Sequence, residues 1–259
     1  MNLLPLVSES LHLLWPARCA ACDCQVPEDA LFCAPCNLAI NPMPLVGVCP
    51  GCALPQHDDP RESMSDGKRC RRCVRVPLPF ITAAAGFEYG ETIAHAIVRM
   101  KHGGRRDLAL RLARLLVPPF AEVLERAPIE STDIVVPVPL HASKLRERGF
   151  NQALELARWA LIGLSRASRL RPSGGLPRLE RSLLHRTRAT RELGRSGPGA
   201  RLAEVAGAFV VSDTARVRDR RVLLIDDVYT TGATFSECSN ALLTAGATAV
   251  HALALARAV

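Results

Sequence analysis

Two adjacent carboxylates stand beside a loop of small residues near the C-terminus, in the segment VLLIDDVYTTGATF (222–235). The apolar run 222–225 predicts a buried strand that ends at Asp226 and Asp227. A helix pattern follows the loop 230–234, where small residues let backbone N–H groups converge on an anion such as phosphate. Two ionised carboxylates would repel a phosphate beside them, so they must bind something else. Their natural partners are the vicinal hydroxyls of a ribose or a Mg2+ shared with the phosphates. The segment therefore predicts a ribose 5-phosphate site.

The same segment resembles the 5-phosphoribosyl-1-pyrophosphate (PRPP) motif of type I phosphoribosyltransferases. This resemblance implies that Asp226 and Asp227 hold the ribose hydroxyls. It assigns the 5-phosphate to the loop residues Thr230, Thr231, Gly232, Ala233 and Thr234. The plainer alternative is an ordinary strand–turn–helix with an acidic N-terminus. A Walker A loop is excluded, because the chain contains no G-x-x-x-x-G-K-[ST] sequence.

Eight of the ten cysteines form four Cys-x-x-Cys pairs between residues 19 and 73. In a reducing compartment such clustered pairs indicate metal binding rather than disulfides. Each pair presents two thiolates to one point, and a tetrahedral Zn2+ takes four, so the pairs predict two structural zinc sites. Read in chain order, the first site comprises Cys19, Cys22, Cys33 and Cys36, and the second comprises Cys49, Cys52, Cys70 and Cys73.

Cys24 offers an alternative to Cys22 as a ligand, and we prefer Cys22 because its spacing matches the other pairs. Cys238 lies outside both predicted sites. A zinc ion held by four thiolates has a net charge of −2, so the formal charge of +8 falls to about +4 and chain basicity becomes a weak argument for nucleic acid. The basic cluster around the last pair either offsets thiolate charge or contacts an acidic partner; it comprises Lys68, Arg69, Arg71, Arg72 and Arg75.

Alternating strand and helix patterns occupy the chain from residue 76 onward. They predict an α/β fold with a mostly parallel sheet flanked by helices. Strand patterns cover residues 79–89, 133–136, 221–228 and 248–258, and helix patterns cover 91–104, 105–127 and 149–165. The second helix should break at Pro118-Pro119, because proline removes backbone hydrogen bonds.

Residues 165–201 hold ten arginines and only two acidic residues. This composition predicts a mobile basic loop that buries little surface. The loop is either a spacer or a catalytic lid whose cations close over pyrophosphate.

Three motifs in order are similar to those of the ComF (GntX-like) family: the cysteine pairs, VPVPLHASKLRERGFNQA (136–153), and the acidic pair with its loop. The resemblance implies a small double zinc ribbon ahead of a type I phosphoribosyltransferase-like domain. We therefore expect an N-terminal amphipathic helix over 1–18, the ribbon over 19–75, and the domain over 76–259. The pyrophosphate and lid candidates that follow from it are Lys101, Lys144, Arg146, Arg148, Arg186 and Arg188.

The family resemblance also implies PRPP binding and a role in DNA uptake during natural transformation, with single-stranded DNA or DNA-uptake proteins as partners. The alternative is an active transferase that moves ribose 5-phosphate from Mg2+–PRPP to an acceptor that the sequence does not indicate. Aromatic residues total 4% and are absent from 165–201, so that segment supports phosphate contact without base stacking. No run of eighteen uncharged apolar residues and no basic N-terminal region occur, so we expect no membrane span, no signal peptide and a cytoplasmic location.

Overall fold

The computed structural model describes residues 16–44, 46–55, 69–102, 104–127, 129–130, 133–167, 175–189 and 203–259. The N-terminal helix expected over 1–18 therefore lies outside the described residues apart from its last three. Of these, Arg18 forms an isolated antiparallel bridge with Gln25. No helix within the described ranges has both the length and the apolar character needed to cross a bilayer.

A five-stranded parallel sheet forms the centre of the larger part of the chain, in the order β1-β7-β6-β2-β3. A separate antiparallel pair, β4 and β5, lies beside it. The strands are β1 Thr82–Glu88, β2 Ile134–Pro137, β3 Arg178–Leu179, β4 Leu184–Arg186, β5 Phe209–Val211, β6 Arg221–Tyr229 and β7 Ala249–Arg257. The predicted α/β class with a mostly parallel sheet is confirmed.

The helices are α1 Ala34–Leu38, α2 Arg71–Arg75, α3 Glu91–His102, α4 Arg106–Arg126, α5 Ala142–Arg148, α6 Gln152–Arg166 and α7 Ala233–Thr244. Of these, α3, α4, α6 and α7 cover the two faces of the sheet. The side chains of Leu223 and Ile225 on β6 pack with α3, α4 and α6, whereas those of Val222 and Leu224 pack with α7. Every residue of β7 is buried, as expected for a parallel strand covered on both faces.

The N-terminal cysteine segments lie along the outer edge of β1. Backbone hydrogen bonds join them to this strand, from Met43 N to Gly86 O (2.9 Å) and from Ala83 N to Pro50 O (2.6 Å). Cys19 belongs to the core on the α3 and α4 face, and Cys49 to the core on the α7 face. The cysteine segments thus cover an edge strand that would otherwise expose unpaired backbone groups.

Helix α4 continues through Pro118-Pro119, so the predicted break is wrong. The two prolines remove two helical hydrogen bonds, but Leu116 before them and Phe120 after them are both fully buried. This packing on both sides of the prolines keeps the helix continuous. Strand β6 exceeds its predicted pattern 221–228 by one residue, and Asp226 and Asp227 lie within it rather than at its end because β7 pairs with it as far as Tyr229.

The arginine-rich segment 165–201 is more structured than its composition predicts. Strand β3 joins the edge of the sheet beside β2, and β4 pairs with β5. Glu180 is buried between Arg178 and Arg216, with which it forms ion pairs, and Leu183 is fully buried. The expectation of little burial is therefore wrong for Glu180, Leu183 and Leu184, whereas Arg178, Arg181 and His185 between and beside them are exposed. Residues 168–174 and 190–202 lie outside the described residues.

Candidate functional site

Strand β2 ends at Pro137, whereas its neighbour β6 continues to Tyr229, and we call the region beyond the end of β2 at the carboxyl end of the sheet the cleft. Pro137 pairs with Ile225 as the last residue of β2, and Val138 N still donates to Ile225 O at 2.9 Å. The next two residues of β6 are Asp226 and Asp227. Crevices at the carboxyl ends of parallel strands are the usual ligand sites of open α/β sheets.

Asp227 points to the same face of β6 as Ile225 and is 3% exposed. Its carboxylate forms an ion pair with Lys101 near the end of α3 and accepts a hydrogen bond from Gln152 Nε2 at 3.3 Å. Arg148 Nη1 in turn donates to Gln152 Oε1 at 2.5 Å. Burial opposes ionisation of Asp227, but the Lys101 ammonium and these hydrogen bonds hold the pKa of the carboxyl below its ordinary value.

Asp226 points to the opposite face of the strand, toward α7 and the β4–β5 pair. Its Oδ1 accepts a hydrogen bond from Asp227 N at 2.8 Å. Burial and the neighbouring Asp227 carboxylate raise the pKa of Asp226 well above its ordinary value. The two adjacent acids thus have opposite pKa shifts, because Lys101 contacts only one of them.

Arg186, at the end of β4, brings positive charge to the Asp226 side of the cleft. Residue 186 forms a parallel bridge with His141, in the segment that follows β2, and its guanidinium lies 5.4 Å from the Phe209 ring. Burial lowers the pKa of this guanidinium, whereas the field of Asp226 raises it. Lys101 and Arg186 therefore flank the acidic pair from opposite faces of β6.

The small-residue loop joins β6 to α7, which begins at Ala233. Gly232 caps the helix with a φ of +88°, a left-handed conformation that favours glycine. A Cβ atom at this position would also lie 3.1 Å from the Tyr229 ring. Thr231 Oγ1 accepts a weak hydrogen bond from Ala233 N at 3.4 Å, and Thr230 is exposed. The loop therefore presents a helix N-terminus beside the acidic pair, as an anion site requires.

Three of the predicted cationic candidates lie elsewhere. Lys144 forms an ion pair with Glu147 at 3.1 Å on α5, and Arg146 is exposed on the same helix. Arg188 Nη2 donates to the carbonyl oxygens of Glu204 and Ala206, at 2.8 and 3.1 Å. In this conformation the structure brings Lys101, Arg148 and Arg186 to the acidic pair and leaves the other three candidates at its margin.

Two contributors to the site are not predicted by the sequence patterns. The polar pair at the start of α6 predicts a helix cap, but only Asn151 is the cap, and Gln152 instead contacts Asp227. Arg257 is buried at the end of β7 and donates to the carbonyl oxygens of Tyr229 and Thr230, at 3.0 and 2.6 Å. Gln152 belongs to the motif 136–153 that resembles the ComF family, so that motif could have indicated a role for it. No local sequence pattern around Arg257 indicates its contact with the loop.

The two cysteine sets predicted from spacing are assembled in space. Within each set one sulfur atom per residue lies within 4.8 Å of the others, and no other group of potential metal ligands occurs among the described residues. Cys24 lies just outside the first set, with its Sγ 3.5 Å from that of Cys22. Four converging thiols fit a tetrahedral soft-ligand site, so both sets are compatible with structural zinc.

Comparison with known proteins finds relatives named for DNA utilization and for competence. No protein-family model matches it. It is 27% identical to DNA utilization protein YhgH of Escherichia coli K12 over 214 residues, which cover 81% of this chain and 84% of that protein. It is 25% identical to Competence protein F of Haemophilus influenzae over 248 residues, or 93% of this chain and 97% of that protein. These relatives confirm the resemblance to the ComF family.

A weaker similarity links the chain to a solved enzyme structure. The hypoxanthine-guanine phosphoribosyl transferase of L. donovani aligns with a TM-score of 0.33 and 13% identity, over 57% of this chain and 70% of that one. A similarity of this size carries no argument about fold or function.

Proposed function

We propose that this ComF-like chain binds PRPP, or a related ribose 5-phosphate, in the cleft between β2 and β6. The observation that carries the proposal is the position of Asp226 and Asp227 beside the Gly232-capped start of α7. The helix N-terminus would bind the 5-phosphate, and the acidic pair would accept hydrogen bonds from the ribose hydroxyls. Lys101 and Arg186 would then neutralise the pyrophosphate.

Mg2+ would enter with PRPP rather than occupy a site built by the protein. Within the described residues the acidic pair belongs to no group of three or more potential metal ligands, so the protein alone offers Mg2+ too few ligands there. Mg2+ usually keeps several water ligands and is held partly by substrate phosphates. Its chemistry here would be to neutralise charge on the pyrophosphate oxygens.

Zinc would be bound by the two cysteine sets, with a structural role. A site of four thiolates leaves no open position for substrate, which is the pattern of structural rather than catalytic zinc. Free thiols persist in a reducing cytoplasm, and we place the proposed activity there for that reason.

The biological setting that we propose is DNA uptake or DNA utilisation, as the names of the relatives suggest. The chain would act there by binding single-stranded DNA or a protein of the uptake machinery. The exposed arginines of α2, together with Arg166, Arg181 and Arg188, would contact phosphate groups, giving binding that weakens steeply with salt. Titration of a fluorescent single-stranded oligonucleotide at several salt concentrations tests this. Absence of binding even at low salt would contradict direct contact with DNA. A protein of the uptake machinery would then remain as the proposed partner.

The PRPP site itself is tested by calorimetry on zinc-loaded protein. PRPP with Mg2+ should bind more tightly than ribose 5-phosphate alone or pyrophosphate alone, because only PRPP contacts the loop, the acidic pair and the cations together. Equal affinity for PRPP and pyrophosphate would indicate a general anion site. No PRPP binding would contradict the proposal.

Phosphoribosyl transfer is the second candidate, favoured by the position of Arg186 beside His141. A cation next to the segment after β2 could stabilise the charge of a departing pyrophosphate. The reaction would break the bond between the anomeric carbon and pyrophosphate and form one to the acceptor. Incubation with Mg2+–PRPP and panels of candidate acceptors, with pyrophosphate release as the readout, distinguishes turnover from binding alone.

A further inference from the structure

Arg257 connects the second cysteine set to the phosphate loop. It is the last residue of β7 and is 3% exposed. Its Nε donates to the carbonyl oxygen of Cys52 at 2.7 Å, while its Nη1 donates to those of Tyr229 and Thr230. One rigid, planar guanidinium therefore bridges a predicted metal-ligand turn and the loop that precedes α7.

Tyr229 makes a second connection between the same two segments. Its hydroxyl donates to the carbonyl oxygen of Gly51 at 3.2 Å, and Gly51 adjoins Cys52 in the cysteine turn. The Tyr229 ring lies 4.4 Å from the Arg257 guanidinium and makes edge-to-face contacts with Phe80 and Phe235. The same ring limits the space at Gly232, which caps α7. We call Arg257 and Tyr229 together the clasp.

We propose that the clasp makes the geometry of the phosphate loop depend on the metal-bound state of the second cysteine set. The metal would fix the turn that contains Gly51 and Cys52, and this turn would hold Arg257 and Tyr229 in place. They would in turn fix Thr230 and Gly232. Because these two residues belong to the proposed 5-phosphate site, the inference rests on the proposed function. Arg257 and Tyr229 are positioning residues in this scheme, because the loop and not the clasp contacts the ligand.

The first cysteine set provides an internal control, since it is tied to a different part of the sheet. Arg99 Nη1 donates to the carbonyl oxygen of Cys19 at 2.9 Å. Arg111 donates to the carbonyl oxygens of Arg18 at 3.0 Å and Ala30 at 2.5 Å. These hydrogen bonds join α3 and α4 to the first cysteine segment rather than to the phosphate loop. Arg111→Met thus removes an arginine that binds backbone carbonyl groups, as Arg257 does, without touching that loop.

The test compares zinc-loaded Arg257→Met with zinc-loaded Arg111→Met, after zinc content and circular dichroism have shown that both are folded. Hydrogen exchange is measured on peptides that cover the loop, and calorimetry measures the affinities for ribose 5-phosphate and for pyrophosphate. Arg257→Met should accelerate exchange in the loop and weaken ribose 5-phosphate binding about tenfold, as expected for loss of charge-assisted hydrogen bonds that position the site. Pyrophosphate binding should change little, and Arg257→Lys should recover part of the loss.

Two further variants keep the proposal testable if Arg257→Met does not fold. Tyr229→Phe removes only the hydroxyl contact with Gly51 and should accelerate loop exchange to a smaller extent. Cys70→Ser, which removes a predicted ligand without altering the carbonyl of Cys52, should accelerate it as Arg257→Met does. Loop exchange that is unchanged in Cys70→Ser, or equal in Arg257→Met and Arg111→Met, overturns the proposal. If the wild type binds no ribose 5-phosphate, the proposed function fails, while the exchange data still decide whether the clasp couples the two segments.

Discussion

Lys101 and Asp227 form an ion pair that joins the end of α3 to β6. The Asp227 side chain is 5% exposed and that of Lys101 is 23% exposed, so removing one partner leaves a poorly solvated charge. Asp227→Asn should therefore lower the free energy of unfolding by about 1–3 kcal/mol at neutral pH. Asp226→Asn should instead raise it, because the carboxyl that it replaces ionises at a cost. Urea denaturation of the two variants measures this difference in sign.

The pH dependence of the same two variants follows from the pKa shifts. The pKa of Asp227 is lowered in the folded state, so its stabilisation is complete above the ordinary carboxyl pKa and is lost as pH falls through the lowered value. The pKa of Asp226 is raised, so the wild type loses stability as pH rises from the ordinary value toward the raised one. Denaturation at several pH values should show the Asp227→Asn deficit shrinking in acid and the Asp226→Asn advantage growing toward neutral pH. A change in the free energy of unfolding with the same sign in both variants would contradict the opposite pKa shifts of the two aspartates.

Local sequence predicted the parts of the site that are contiguous in the chain. The acidic pair and the loop 230–234 lie within nine consecutive residues (226–234), and the cysteine pairs follow fixed spacings, so their chemistry could be inferred from residue type and spacing. The contact between Gln152 and Asp227, and that between Arg257 and Cys52, join distant segments whose pairing depends on strand order. No periodicity or composition encodes such pairs, and the same holds for the packing that keeps α4 continuous through its prolines.

Metal content is a direct test of the cysteine sets. Protein prepared without chelators should contain two zinc ions per chain, and Cys22→Ser should lose one of them. Cys24→Ser is the matched control, because its thiol is adjacent to the first set without belonging to it. Mass spectrometry under native conditions counts the ions. Loss of zinc from Cys24→Ser but not from Cys22→Ser would assign the ligand to Cys24.

Removal of zinc should affect the two parts of the chain differently. Structural zinc–thiolate sites contribute folding free energy directly, so a strong chelator should unfold the N-terminal 75 or so residues. The sheet has its own buried core on both faces and should remain folded. Limited proteolysis after chelation should release the N-terminal segment first. Simultaneous degradation of the whole chain would show that the sheet needs the cysteine segments at the edge of β1 to remain folded.

Variants of Arg186 and Arg188 can be compared to identify the arginine that contacts the pyrophosphate. Arg186 adjoins His141 and lies in the field of Asp226, whereas Arg188 contacts the carbonyl groups of Glu204 and Ala206. Arg186→Met should weaken binding of Mg2+–pyrophosphate about tenfold, the value of one charge-assisted hydrogen bond. Arg188→Met should leave it nearly unchanged. Calorimetry decides between them, and equal losses in both variants would indicate a diffuse electrostatic effect of the segment.

The double variant Asp226→Asn with Asp227→Asn tests whether the acidic pair binds ribose. If the pair has only a structural role within β6, the variant should alter stability and leave PRPP affinity unchanged. If the carboxylates accept bonds from the ribose hydroxyls, the loss of two charge-assisted hydrogen bonds at about 1.5–3 kcal/mol each should weaken PRPP binding by roughly two orders of magnitude or more. Removing negative charge near a phosphate site would by itself strengthen anion binding, so pyrophosphate serves as the control ligand. Weaker PRPP binding together with unchanged or tighter pyrophosphate binding, measured by calorimetry with Mg2+, would identify the ribose as the group that the pair contacts. Equal PRPP affinity in wild type and variant would exclude that role.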